Sequence, residues 1–94
     1  MNITFRDCNL KVVKAEYKNN NRTSLHLIDK KGIQHLTATV NVPEIDLNED
    51  EILIKNWSGN LGILECLEQA GIIKQLNEQI EVGFTHADKC KLLI

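Results

Sequence analysis

The stretch Arg22-Thr23-Ser24-Leu25-His26-Leu27-Ile28-Asp29-Lys30-Lys31-Gly32-Ile33-Gln34-His35-Leu36-Thr37-Ala38-Thr39-Val40-Asn41-Val42-Pro43 decides the fold class. Two runs of alternating apolar residues flank a charged turn. Leu25 and Leu27 share one face of the first run, and Leu36, Ala38, Val40 and Val42 share one face of the second. Asp29 to Gly32 places glycine last, as a type I turn prefers. Pro43 closes the second run, because proline has no N–H to give a ladder. Sequential short strands with tight turns predict an antiparallel sheet.

The same reading extends in both directions. Upstream, Leu10 and Val12, then Val13, Ala15 and Tyr17, alternate with a change of face, which predicts a strand bulged near Val12 and Val13. Lys18-Asn19-Asn20-Asn21 is a polar turn, suited to asparagine's tolerance of left-handed backbone. Downstream, Glu44 to Glu51 is an acidic loop and Glu51 to Trp57 a strand. The period then changes. Leu61, Leu64, Leu67 and Ala70 recur at helical spacing with Ile63 beside them, Ser58 as N-cap and Gly71 just past the end. Ile72 to Leu76, a turn at Asn77-Glu78, and a strand with Ile80, Val82 and Phe84 on one face follow. His86-Ala87-Asp88 turns the chain into a last strand with Cys90, Leu92 and Ile94. The expected architecture is α+β: a curled antiparallel sheet of about six to seven short strands packed on one short helix.

The 94 residues are expected to form a single domain, 1–94, with one core. A net charge of -2 and an aromatic content of 4% argue against a surface that neutralises phosphates or stacks bases, so direct nucleic-acid binding is not expected. No apolar run approaches the ~20 residues of a membrane span, and Met1 to Asp7 lacks the basic and apolar regions of a signal peptide. Cys8, Cys66 and Cys90 form an odd set without a CxxC pair, the pattern of reduced thiols in a cytoplasmic protein.

Four constellations carry potential chemistry. If Asp29 to Gly32 is a four-residue loop, Ile28 faces Ile33 and His26 faces His35. Arg22, Ser24, His26, His35, Thr37 and Thr39 then form one polar stripe, either a ligand face or the wet side of a sheet. No carboxylate or cysteine joins it to complete a metal site. The acidic loop, Glu44, Asp46, Glu49, Asp50 and Glu51, begins like a calcium loop at Asp46-x-Asn48-x-Asp50. It then puts Glu51 where glycine is needed and Trp57 where the bidentate glutamate belongs. A patch for a basic partner fits it better. Trp57-Ser58-Gly59-Asn60-Leu61-Gly62 hands a strand to a helix, a place where free N–H groups attract anions; it lacks a Walker lysine and a GxGxxG. The alternative is a sharp turn with Trp57 packed over the helix start. Finally, His86-x-Asp88-x-Cys90 gathers catalytic residue types too close along an extended chain for triad geometry, so no enzyme is expected.

Arg22-Thr23-Ser24-Leu25-His26-Leu27-Ile28-Asp29, Ala38-Thr39-Val40-Asn41-Val42-Pro43, Ile52-Leu53-Ile54-Lys55-Asn56-Trp57-Ser58, Gly62-Ile63-Leu64-Glu65 through Ala70-Gly71-Ile72, and Gly83-Phe84, in this order, resemble a family of small uncharacterised proteins of bacterial phages, plasmids and integrative elements. That family reads ATVNLP, a strand ending IKDYS, a helix ending EAGI, then GF. The resemblance covers about four-fifths of the chain. The chain departs from it at Ser58-Gly59-Asn60-Leu61-Gly62, where the family has Ser-Glu-Asn-Glu-Gly; Leu61 removes the capping box. The resemblance implies a mobile element in a bacterial cytoplasm and no catalytic residues. Small acidic proteins of such elements often act by binding, anti-CRISPR proteins among them. The leading expectation is a non-enzymatic binder of a protein partner that inhibits a host defence system, with no cofactor and no metal. One alternative is a protein that sequesters a nucleotide or other small anionic ligand at Ser58-Gly59-Asn60; another is an interaction module that forms a homodimer.

Overall fold

The computed structural model describes residues 1–94. Seven strands and one short helix make an α+β fold in two antiparallel sheets. The first sheet has the order β1 (Asn2–Phe5), β2 (Cys8–Glu16), β3 (Thr23–Ile28), β4 (Gln34–Thr37). The second has the order β5 (Glu51–Ile54), β7 (Thr85–Leu92), β6 (Ile73–Val82), with α1 (Ile63–Gln69) between β5 and β6 in the chain.

The single curled sheet expected from the sequence is therefore divided in two. Its seam is visible: Thr39 bridges Ile54, Val40 N–H donates to Leu53 O at 3.0 Å, and Lys55 N–H donates to Ala38 O at 2.8 Å. The expected strand Ile33–Val42 is shorter for the same reason. It stops as β4 at Thr37; Ala38 N–H still donates to Leu25 O of β3 at 2.8 Å, and from Ala38 to Val40 the chain bonds the β5 segment. The sheet does not close, leaving β1 and β6 as its two ends.

α1 lies against both of those ends. The Cys66 thiol donates to Thr4 O of β1 at 3.2 Å, and the Glu68 carboxylate accepts from Gln75 N and Gln75 Nε2 of β6, each at 2.9 Å. The helix is also the lid of the core. Ile63, Leu64 and Leu67 are three of the fifteen buried residues of one core cluster, which also takes Leu25 and Leu27 from the first sheet and Ile54 and Cys90 from the second. It ends as the sequence predicts. Gly71 takes φ +75, its N–H bonds Glu68 O, and Ile72 N–H bonds Leu67 O, a Schellman closure in which buried Leu67 and Ile72 meet.

Its start differs from expectation. Ser58 does not cap it; Ser58–Asn60 is a separate 3-10 turn, and Gly62 at φ +98 stands before Ile63. β2 runs without the expected bulge: its register with β3 is unbroken from Lys11↔Ile28 to Glu16↔Thr23, and Val13 simply faces away from Val12. β1 was not foreseen as a strand. It pairs with β2 through Arg6-Asp7, both at positive φ (52° and 64°), the two-residue hairpin turn that asparagine and glycine usually mark. The turns expected at Asn77-Glu78 and at His86-Ala87-Asp88 lie inside β6 and β7 instead. Leu76 and Asn77 are inserted as a bulge between Gln75 and Glu78, and the chain reverses at Gly83-Phe84.

Candidate functional site

β3 and β4 hold the histidine stripe, and the register separates its pair. His26 faces Thr37 and Leu27 faces Leu36; Ile28 then faces Gln34, so His35 is the skipped residue of a bulge. The cause is Asp29. Its Oδ1 accepts the backbone N–H of Lys31 at 2.9 Å and of Ile33 at 3.0 Å, which draws Ile33 into the loop. Oδ2 holds His35 Nε2 at 3.0 Å. The bonds from Ile33 and then His35 keep the Asp29 carboxyl below its ordinary value. The expected His26–His35 opposition is thus replaced by a His35–Asp29 pair at the loop.

His26 has hydroxyls at both ring nitrogens: Ser24 Oγ lies 2.9 Å from Nε2 and Thr37 Oγ1 lies 3.2 Å from Nδ1. Gln34 Nε2 donates to the same Thr37 hydroxyl at 2.9 Å. Thr39 is buried and bonds Tyr17 Oη at 2.8 Å. Arg22 reaches the carbonyls of Val42, at 2.8 Å, and Ile45, and so clips the start of the acidic loop to β3. The stripe is a network internal to the sheet, with most of its donors and acceptors paired.

The turn after β5 meets this stripe at one residue. Asn60, 6% exposed, donates through Nδ2 to Thr37 O at 2.8 Å. Thr37 therefore links His26 by its side chain to Asn60 by its backbone. Trp57 is half-buried, and Ser58 and Gly59 are exposed. Two of the N–H groups at the helix start are engaged: Asn56 Oδ1 accepts from Gly62 N and Leu64 N, each at 3.0 Å. Asn56 is a residue the sequence reading missed. An asparagine at a strand end just before a glycine-rich turn is the signal that could have found it.

The acidic loop is exposed at Glu44, Asp46, Glu49 and Asp50 and half-buried at Glu51. It does not converge on one point. Glu51 Oε1 accepts Asn48 N–H at 2.8 Å, and its carboxylate lies 3.5 Å from Lys89 Nζ; Asp50 lies 3.8 Å from Lys91 Nζ. The Asn48 N–H first, and Lys89 after it, hold the Glu51 carboxyl below its ordinary value. Lys89 Nζ is also 3.5 Å from Glu78, so one ammonium joins the loop to β6 across the outer face of the second sheet. The structure brings no three His, Cys, Asp or Glu residues together in a group that could hold a metal ion.

The thiols differ by place. Cys8 is exposed, Cys66 partly covered and Cys90 buried. Burial first, with the carboxylates of Asp88 and Glu68 behind it, pushes the Cys90 thiol up to about 12. Burial raises Cys66 as well. Phe84 reverses the sequence reading most plainly. Expected beside Ile80 and Val82 on one strand face, it stands at the hairpin tip at 111% exposure. Gly83, at φ +60, and Phe84 form the two-residue loop between Val82 and Thr85, and a Gly-X dipeptide is the known signal for that turn.

No helix is long and apolar enough to cross a membrane. No family model, curated protein or solved structure matches the chain.

Proposed function

We propose that this chain is a small non-enzymatic binding protein with a protein partner, and that it serves a bacterial mobile element by inhibiting a host defence system, as anti-CRISPR proteins do. The observation that carries the protein-binding part is Phe84. A phenylalanine wholly outside the core contributes nothing to folding and offers a large apolar surface to a partner. The internal pairing of His26, Arg22 and Asn60 supports the same reading, since these polar candidates already serve the fold. Asn56 occupies two of the N–H donors at the helix start, which leaves the small-ligand alternative with fewer donors to use. The mobile-element setting rests on the resemblance of the motifs alone.

The test is plaque formation on defended bacterial hosts with and without the gene. The proposal expects rescue of a phage on at least one host. Unchanged plaque counts across a panel of defence systems would sink the defence role.

A further inference from the structure

We infer that the outer edge of β6 from Gln79 to Val82, with Phe84 at its tip, takes an extended basic segment of a protein partner as an added strand. The inference rests on the protein-binding reading and names where and how that partner sits.

The geometry follows from the turn. In a two-residue hairpin the residues flanking the loop form a hydrogen-bonded pair, so Val82, and by alternation Ile80 and Glu78, direct their backbone groups to β7. Gln79 and Glu81 direct theirs outward. No backbone bond from outside the hairpin reaches residues 76–87. Gln75 has the same outward orientation, opposite Cys90, yet its N–H is covered by Glu68 of α1. Cover ends where the Leu76-Asn77 bulge begins, with Asn77 at φ +59. The four backbone groups of Gln79 and Glu81 are an open ladder, the element that strand addition uses.

Charge selects the occupant. Residues 75–88 contain Glu78, Glu81 and Asp88 and no lysine or arginine. Of the two lysines that flank this run, Lys74 and Lys89, the second already lies between Glu51 and Glu78. A second copy laid antiparallel on this edge would double the carboxylates along one ladder and bring no lysine or arginine from residues 75–88; Lys89 partners Glu78 and leaves Glu81 without a cation, and like charges gathered on a ladder destabilise strand pairs. A basic strand removes that repulsion and gains from it. Phe84 then stands beside the new strand as an apolar anchor, the residue type that dominates binding energies when buried at an interface.

The test uses the full chain and two synthetic peptides of roughly eight residues, an ordinary strand length: one alternating lysine and valine, one alternating glutamate and valine. The lysine peptide is expected to slow hydrogen exchange at the Gln79 and Glu81 amides, and the glutamate peptide to leave them unchanged. Glu81→Lys and Phe84→Ser are each expected to weaken lysine-peptide binding by ~tenfold or more while keeping the unfolding midpoint. Absence of protection at those two amides, or equal binding by both variants, overturns the inference. The phage assay separates it from the broader reading. Full rescue by both variants would discard the edge and keep the defence role. Peptide binding at the edge with no rescue by the wild-type chain would discard the defence role and keep the edge.

Discussion

The two ends of β6 face opposite conditions. At Ile73–Gln75 the strand is sealed: Ile73 lies in the core and Glu68 of α1 takes the outward N–H of Gln75. From Gln79 to Val82 the same strand has β7 on one side, open edge on the other, and Phe84 beyond it in solvent. An uncovered edge is a hazard that folds usually blunt. Here the helix blunts one half, and the bulge and two glutamates mark where cover stops. The first half holds the molecule together, and the second is the part free to change partner without cost to the core.

The sharpest way to break this contrast is at the sealed end. Leu67 is fully buried and closes the Schellman turn with Ile72. Leu67→Ala should cost ~2–5 kcal/mol, the range for a buried leucine that leaves a cavity. Val82→Ala, on a half-buried residue of the open end, should cost ~1 kcal/mol or less. Urea unfolding followed by circular dichroism measures both, and equal costs would erase the distinction. Glu68→Ala comes next. It frees the Gln75 N–H and should lose ~1 kcal/mol, because the carboxylate is exposed and its bonds are partly replaced by water. Hydrogen exchange should quicken at Gln75 and stay as fast as before at Gln79.

A smaller effect follows from pH. Asp29 and Glu51 both lie below their ordinary values of 3.8 and 4.5, chiefly through the N–H groups of Ile33 and Asn48. A depressed carboxyl stabilises the fold above its unfolded value, and that contribution disappears as pH falls through the folded one. The melting temperature should therefore hold steady down to about pH 5 and decline below it. Glu51→Gln keeps an oxygen for Asn48 N–H but carries no charge, so its decline should be shallower. An identical acid limb in the variant would show that the Glu51 carboxylate does not contribute.

Much of this arrangement is legible in the residues. The alternation of Leu25 and Leu27, the helical spacing of Leu64 and Leu67, and Gly71 placed the hairpin, the helix and its end. The failures share a cause: side chains that replace backbone partners. Asp29 widens the β3–β4 loop by accepting two N–H groups, and the His26–His35 pairing, a count of residues across a tight turn, slips with it. Asn56 accepts two of the N–H groups at the helix start from several residues upstream, out of reach of any local capping rule. The division into two sheets turns on one bridge, Thr39 to Ile54, between segments that periodicity treats as independent strands. Phe84 departs from the expected face because the alternation of Ile80 and Val82 does not continue two residues on: Gly83 has already ended the strand.

The smallest expected change is the most telling. Phe84 touches no core cluster, and its ring is as open to water as in an extended chain. Phe84→Ser should leave stability within ~0.5 kcal/mol of the parent, as surface substitutions away from structural features do. Gly83→Ala, one residue earlier, imposes a side chain on a backbone at φ +60 and should cost more, ~1 kcal/mol, although nothing lies within 4 Å of the added carbon. Stability thus depends on the backbone of the tip and not on its aromatic ring. If thermal unfolding ranks the two variants the other way, Phe84 packs against the sheet in solution, and the open half of β6 is less open than its geometry indicates.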